Sequence, residues 1–145
     1  MDEQAFQQAR LSSDLLPCVF EKSILAGCAQ CTLSRRRALA EREVVVCTLA
    51  VAQINCTTLG NLTRERARFA LRLTGCDVPV THAKAMRMQC GSVIGLQKAF
   101  AAPVNDVHAL VNAAHANGAS LLDLPWADMV SEIVAWVPRR RSPPK

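Results

Sequence analysis

The chain has 145 residues, of which 50% are hydrophobic, and its 17 Lys and Arg exceed its 12 Asp and Glu to give a net charge of +5. This length is enough for one domain with a hydrophobic core that needs no disulfides. The sequence contains no run of about 18 uncharged apolar residues, which excludes a membrane-spanning helix, and its polar N-terminus does not resemble a secretory signal. We therefore expect a soluble cytoplasmic protein.

Helix signals run along almost the whole chain and predict an all-α fold, a single compact bundle of about six to seven helices. The domain is expected to fill residues 3–138, followed by a basic, disordered tail over residues 139–145. The one strand signal is a β-branched run within Glu43–Cys47, which is too short to carry a sheet alone. In chain order, the predicted helices are Glu3–Ser12, Pro17–Gly27, Ser34–Val45, Thr48–Leu73, Thr81–Ala101, Asp106–Asn117 and Leu124–Val137.

Capping residues support several of these helix boundaries. Thr48 and Thr81 are residue types that favour the N-cap position, where a side-chain oxygen accepts a hydrogen bond from a free backbone N–H. Gly27 is suited to the C-terminal end of a helix because glycine adopts the left-handed conformation at little cost.

The chain contains seven cysteines, an odd number, and no export signal places them in an oxidising compartment. Disulfides are therefore not expected, and we interpret the cysteines as reduced thiols. Such thiols serve as buried structural residues, as redox or catalytic groups, or as metal ligands.

Three cysteines lie at the starts of predicted helices, namely Cys18, Cys31 and Cys47. The N-terminus of a helix carries the positive end of its dipole and unpaired N–H groups, which stabilise a thiolate and lower its pKa. A lowered pKa suits a metal ligand or a reactive thiol. Cys56 lies near the edge of the apolar face of the fourth helix, and it can share a site with Cys47 only if Cys47 lies outside that helix.

Cys90 belongs to the predicted fifth helix, on the same face as His82 and beside Gly91 and Gly95. The two glycines leave room next to the thiol. That room suits either the backbone of a neighbouring helix or an inorganic cluster whose sulfides need space and N–H donors.

Cys28 and Cys31 form the only C-x-x-C pair of the sequence. A zinc ribbon would need a second close pair, and a thioredoxin-like motif would need a βαβ unit, which is not predicted. Cys76, in a polar turn, is the cysteine for which we expect no role in a site.

Enzyme motifs are scarce. The sequence contains no P-loop, no G-x-G-x-x-G and no H-E-x-x-H. Cys90 and His82 do not suit a Cys–His nucleophile, because two helical turns separate their side chains by about 12 Å. With no catalytic constellation, we do not expect the chain to be an enzyme by itself.

These observations predict a small cytoplasmic protein that binds an iron–sulfur cluster of the [4Fe–4S] type, with zinc as the alternative metal. It would act in electron transfer, in redox sensing or as an accessory subunit, with a redox partner or a larger complex as its protein partner. Four cysteines are the usual complement of such a cluster, and long, irregular spacings suit a site assembled by the fold. The predicted ligands are Cys31, Cys47, Cys56 and Cys90, with Cys18 as the first reserve.

Two other classes of function are consistent with the sequence. A metal-free or zinc-stabilised helical interaction module would contact a protein partner through the basic tail and the helix from Trp126 to Trp136. A small nucleic-acid-binding regulator would use Arg35–Arg37 and Arg64–Arg72. Nucleic-acid binding is disfavoured because the chain has no Tyr, four Phe and two Trp, which leaves few side chains for base stacking.

Overall fold

A computed structural model describes residues 3–12, 15–74, 78–116 and 120–138, and these ranges combine six α-helices with a three-stranded antiparallel sheet. The prediction of an all-α fold is therefore wrong. The strands are β1 (Leu16–Pro17), β2 (Ser34–Leu39) and β3 (Arg42–Cys47). The helices are α1 (Glu3–Ser12), α2 (Glu21–Leu25), α3 (Ala50–Ala67), α4 (His82–Phe100), α5 (Val107–Ala116) and α6 (Trp126–Ala135), with a short 3₁₀ turn at Leu121–Asp123.

The segment predicted as a third helix, Ser34–Val45, is the β2–β3 hairpin instead. Leu39 pairs with Arg42, so the turn consists of two residues, Ala40 and Glu41, and both have positive φ angles of 47° and 69°. A two-residue turn of this kind usually carries Asn-Gly or a similar pair. Alanine and glutamate favour helices, which is why the sequence conceals the turn.

Strand β3 is the central strand of the sheet, with β1 and β2 on either side. Its three valines alternate between two layers, as a strand requires. Val45 is fully buried in the main core together with residues of α3 to α6, whereas Val44 and Val46 pack with Phe6 of α1 on the other side. Burial on both faces explains why a run of three β-branched residues is sufficient to make the centre of a sheet.

Helices α4 and α6 cross in close contact at two glycines. A Cβ atom on Gly91 would lie 2.4 Å from the Cα of Ile133, and one on Gly95 would lie 2.9 Å from the Cγ of Met129. The room that the sequence indicated beside Cys90 is therefore occupied by the backbone of α6.

The structure confirms two of the predicted helix boundaries and corrects a third. The first helix has the predicted bounds, and the Thr81 side chain accepts a hydrogen bond from the Lys84 N–H, which confirms its capping role. Thr48 is not a cap, because its hydroxyl donates to the Leu33 carbonyl oxygen and Leu49 occupies the N-cap position of α3. The predicted tail 139–145 and Cys76 lie outside the described residues.

Among the described helices, none combines the length and apolar character needed to cross a membrane.

Candidate functional site

Four cysteines line one cavity of about 140 Å³, in spite of their wide spacing in the sequence. Cys18 follows β1, Cys31 precedes β2, Cys47 ends β3 and Cys56 lies in the second turn of α3. Each of these four residues is partly buried. The cavity is comparable in size to the roughly 150 Å³ cavities that can hold a molecule of benzene.

The sheet register explains how three of these cysteines come together. Cys47 is paired with Leu16 of β1 on one side and with Ser34 of β2 on the other. Leu16 is two residues from Cys18, and Ser34 is three residues from Cys31, so both thiols reach the end of β3. The N–H of Cys18 also donates to the Val45 carbonyl oxygen at 3.0 Å, which fixes the chain beside the sheet.

Helices α3 and α5 complete the cavity. Cys56 contributes from α3, and Val107, His108 and Val111 contribute from the first two turns of α5. The loop that carries Cys31 is held to the start of α5, because the Val107 N–H donates to the Gln30 carbonyl oxygen at 2.8 Å. The lining is mostly apolar, and this restricts the access of water to the thiols.

Backbone N–H groups donate to two of the thiols. The sulfur of Cys31 accepts from the N–H groups of Leu33 and His108, and the sulfur of Cys18 accepts from the N–H of Phe20. Hydrogen bonds of this kind favour the thiolate form. They also tune the potential of metal clusters that thiolates hold. Sequence reasoning missed these donors, because a backbone N–H is present at every residue except proline and carries no signal of its own.

Burial nevertheless raises the pKa of these thiols. It raises the pKa of Cys18 to about 11 and that of Cys56 to about 12, and it raises the pKa of Cys31 as well. Negative charge on the neighbouring cysteines adds to the effect, while the backbone hydrogen bonds oppose it for Cys18 and Cys31. The prediction that helix N-termini lower the pKa of Cys18 and Cys31 is therefore wrong. A bound cation would have to displace their protons.

A single zinc ion requires closely spaced ligands. Tetrahedral zinc, with Zn–S bonds of 2.3 Å, requires sulfur atoms that are about 3.8 Å apart. Within the part of the chain that the structure describes, no group of three or more His, Cys, Asp or Glu side chains is arranged to hold one metal ion. The four cysteines share a cavity without converging on a single ion.

Cys90, the fourth predicted ligand, does not line this cavity. Its side chain is fully buried in the middle of α4, and its neighbouring thiol is that of Cys28. The structure thus brings together three of the predicted ligands, Cys31, Cys47 and Cys56, with the reserve Cys18 as the fourth.

The surfaces that the alternative functions would use can also be located. Trp126 is buried, and its Nε1 donates to the Leu121 carbonyl oxygen at 3.0 Å, so this indole is not available to a partner. Arg35, Arg36 and Arg37 are part of β2, an edge strand among the described residues, where Arg36 forms an ion pair with Glu43.

The chain matches no protein-family model, no curated protein and no solved structure. The four thiols and their cavity are therefore the features from which a function can be inferred.

Proposed function

We propose that the protein binds an iron–sulfur cluster of the [4Fe–4S] type through Cys18, Cys31, Cys47 and Cys56, and acts in electron transfer or redox sensing. It could do so alone or as an accessory subunit of a larger complex. The observation that supports the proposal is that these four thiols, from four separate segments, line one cavity.

The chemistry of the residues fits such a group. Four cysteine thiolates are the usual ligands of a [4Fe–4S] cluster, and soft sulfur ligands select iron–sulfur clusters over hard cations. A cluster brings its own sulfides and spreads its irons over a volume, so its ligands stand around a cavity. When bound, it supplies one-electron transfer.

The zinc alternative has less support from the arrangement of the thiols. A structural zinc ion is bound by four side chains that converge on it, and that arrangement is not found among the described residues. The N–H groups of Phe20, Leu33 and His108 suit a cluster, because hydrogen bonds to the ligand sulfurs compensate the negative charge of the thiolates.

The experiment is purification without oxygen, followed by analysis of iron, zinc and acid-labile sulfide. We expect a brown protein with about four iron atoms per chain, directly or after reconstitution with ferrous iron and sulfide. Cys56→Ser should lose the colour and most of the iron, because a serine oxygen is a poor match for iron compared with a thiolate.

Cys28→Ser is the matched control, because Cys28 is also partly buried but does not line the cavity. It should keep the iron content of the wild type. A colourless protein with one zinc ion, or a Cys56→Ser variant with an unchanged iron content, would show that the proposal is wrong.

A further inference from the structure

The two remaining described cysteines, Cys28 and Cys90, form a pair away from the cavity. Their thiols are close enough for Cys28 to influence the pKa of Cys90, although 61 residues separate them along the chain. Cys90 is 0% exposed in the centre of α4, and Cys28 is partly exposed in the loop that follows α2. Cys28 is therefore the more exposed residue of the pair.

The backbone around Cys28 holds this pair in place. The Cys28 N–H donates to the Ser23 carbonyl oxygen at 2.8 Å, and the Cys28 carbonyl oxygen accepts from the Asn105 Nδ2 at 2.9 Å. Ser23 is in turn hydrogen-bonded to α4, because its N–H donates to the Oε1 of Gln89, the residue before Cys90. These contacts fix the Cys28 loop against α4 independently of the thiols.

We propose that Cys28 and Cys90 are a redox-active dithiol that a small disulfide, such as oxidised glutathione, converts into an intramolecular disulfide. The bond would link the loop after α2 to the centre of α4. A disulfide requires Cβ atoms about 3.5–4.5 Å apart, and the hydrogen bonds from Cys28 to Ser23 and from Ser23 to Gln89 hold the Cys28 loop beside the turn of α4 that carries Cys90. The inference does not depend on the proposed cluster.

The reaction is a pair of thiol–disulfide exchanges. The Cys28 thiolate attacks one sulfur of the small disulfide, forms a mixed disulfide and releases one small thiolate. Cys90 then gives up its proton, attacks the Cys28 sulfur and displaces the second small thiolate, which takes up that proton. Two protein thiols are oxidised, and one small disulfide is reduced to two thiols.

The order of the two steps follows from exposure. Cys28 is partly exposed and is therefore the residue that a molecule of the size of glutathione would meet first, whereas Cys90 is fully buried. Burial also raises the pKa of the Cys90 thiol, with the neighbouring Cys28 as a second cause. The second step is therefore expected to be the slower one at neutral pH.

The test uses the full chain, purified under argon and incubated with oxidised glutathione before free thiols are alkylated and peptides are analysed by mass spectrometry. In the wild type we expect one peptide pair joined through Cys28 and Cys90. Dithiothreitol should restore both thiols. The disulfide should also raise the temperature of thermal unfolding, because it restricts the unfolded chain.

Two single variants separate this chemistry from unspecific oxidation. Cys90→Ser should stop at the mixed disulfide and carry one glutathione on Cys28, whereas Cys28→Ser should leave Cys90 reduced. Absence of the linked peptides in the wild type, or glutathione on Cys90 in the folded Cys28→Ser protein, would overturn the proposal. None of these measurements reads iron content, so failure here is distinguishable from failure of the cluster proposal.

Discussion

Replacement of Gly91 by alanine tests the crossing of α4 and α6, which occupies the space beside Cys90. The added Cβ would lie 2.4 Å from the Cα and 2.8 Å from the N of Ile133. Carbon atoms prefer separations of about 3.5–4.0 Å, so the backbone of α6 would have to move by about 1 Å. A backbone cannot relieve such a contact by rotating a side chain.

The change in the free energy of unfolding of Gly91→Ala is the sum of two opposing contributions. Overpacking of a core costs about 1–3 kcal/mol, and a contact with backbone atoms belongs at the upper end of that range. Alanine in the interior of a helix is more favourable than glycine by about 1 kcal/mol. We therefore expect a net loss of about 2 kcal/mol in the free energy of unfolding, equivalent to a fall of about 8 °C in Tm for a chain of this size.

Thermal unfolding followed by far-ultraviolet circular dichroism measures this change. Gly60→Ala is the control, because it makes the same change inside α3 but its Cβ would meet only the Cγ1 of Val19, at 3.1 Å. That methyl group can move, so Gly60→Ala should be as stable as the wild type or slightly more stable. If Gly91→Ala unfolds at the same temperature as Gly60→Ala, the two helices do not cross at this position.

Two further predictions concern buried groups. In metal-free protein, the folded state keeps Cys18 and Cys56 protonated up to pKa values of about 11 and 12, whereas the unfolded thiols ionise near 9. The free energy of unfolding should thus be unaffected by these thiols below pH 9 and should fall between pH 9 and 12, by about 1–2 kcal/mol after allowance for their partial exposure. Urea titrations should show a smaller decline for Cys56→Ala, and an equal decline would contradict the assignment. Trp126→Phe leaves the Leu121 carbonyl oxygen without its indole donor and should lower stability by about 2 kcal/mol in urea unfolding, whereas an unchanged midpoint would contradict this role.

Much of the helical part of the fold could be predicted, because the relevant signals are local. The first helix and the cap at Thr81 depend on residues within one or two turns of each other, and the structure confirms both. The hairpin could not be predicted in this way. Ala40 and Glu41 occupy a turn in which glycine or asparagine is usual. The burial of β3 on both faces compensates for the energetic cost of this strained turn.

The candidate site shows the same division between local and long-range information. The sequence by itself determined that the chain has seven cysteines, that their number is odd and that their spacing is irregular. This pattern predicted Cys31, Cys47 and Cys56 as ligands. Whether Cys18 or Cys90 joins them depends on which segments are neighbours in space. Only the tertiary structure decided this, because the register of β1 on β3 brings Cys18 to the cavity, and the crossing of α4 with α6 buries Cys90 elsewhere, beside Cys28. Sheet register and helix crossing are contacts between residues far apart in the chain, and neither periodicity nor capping residues encode them.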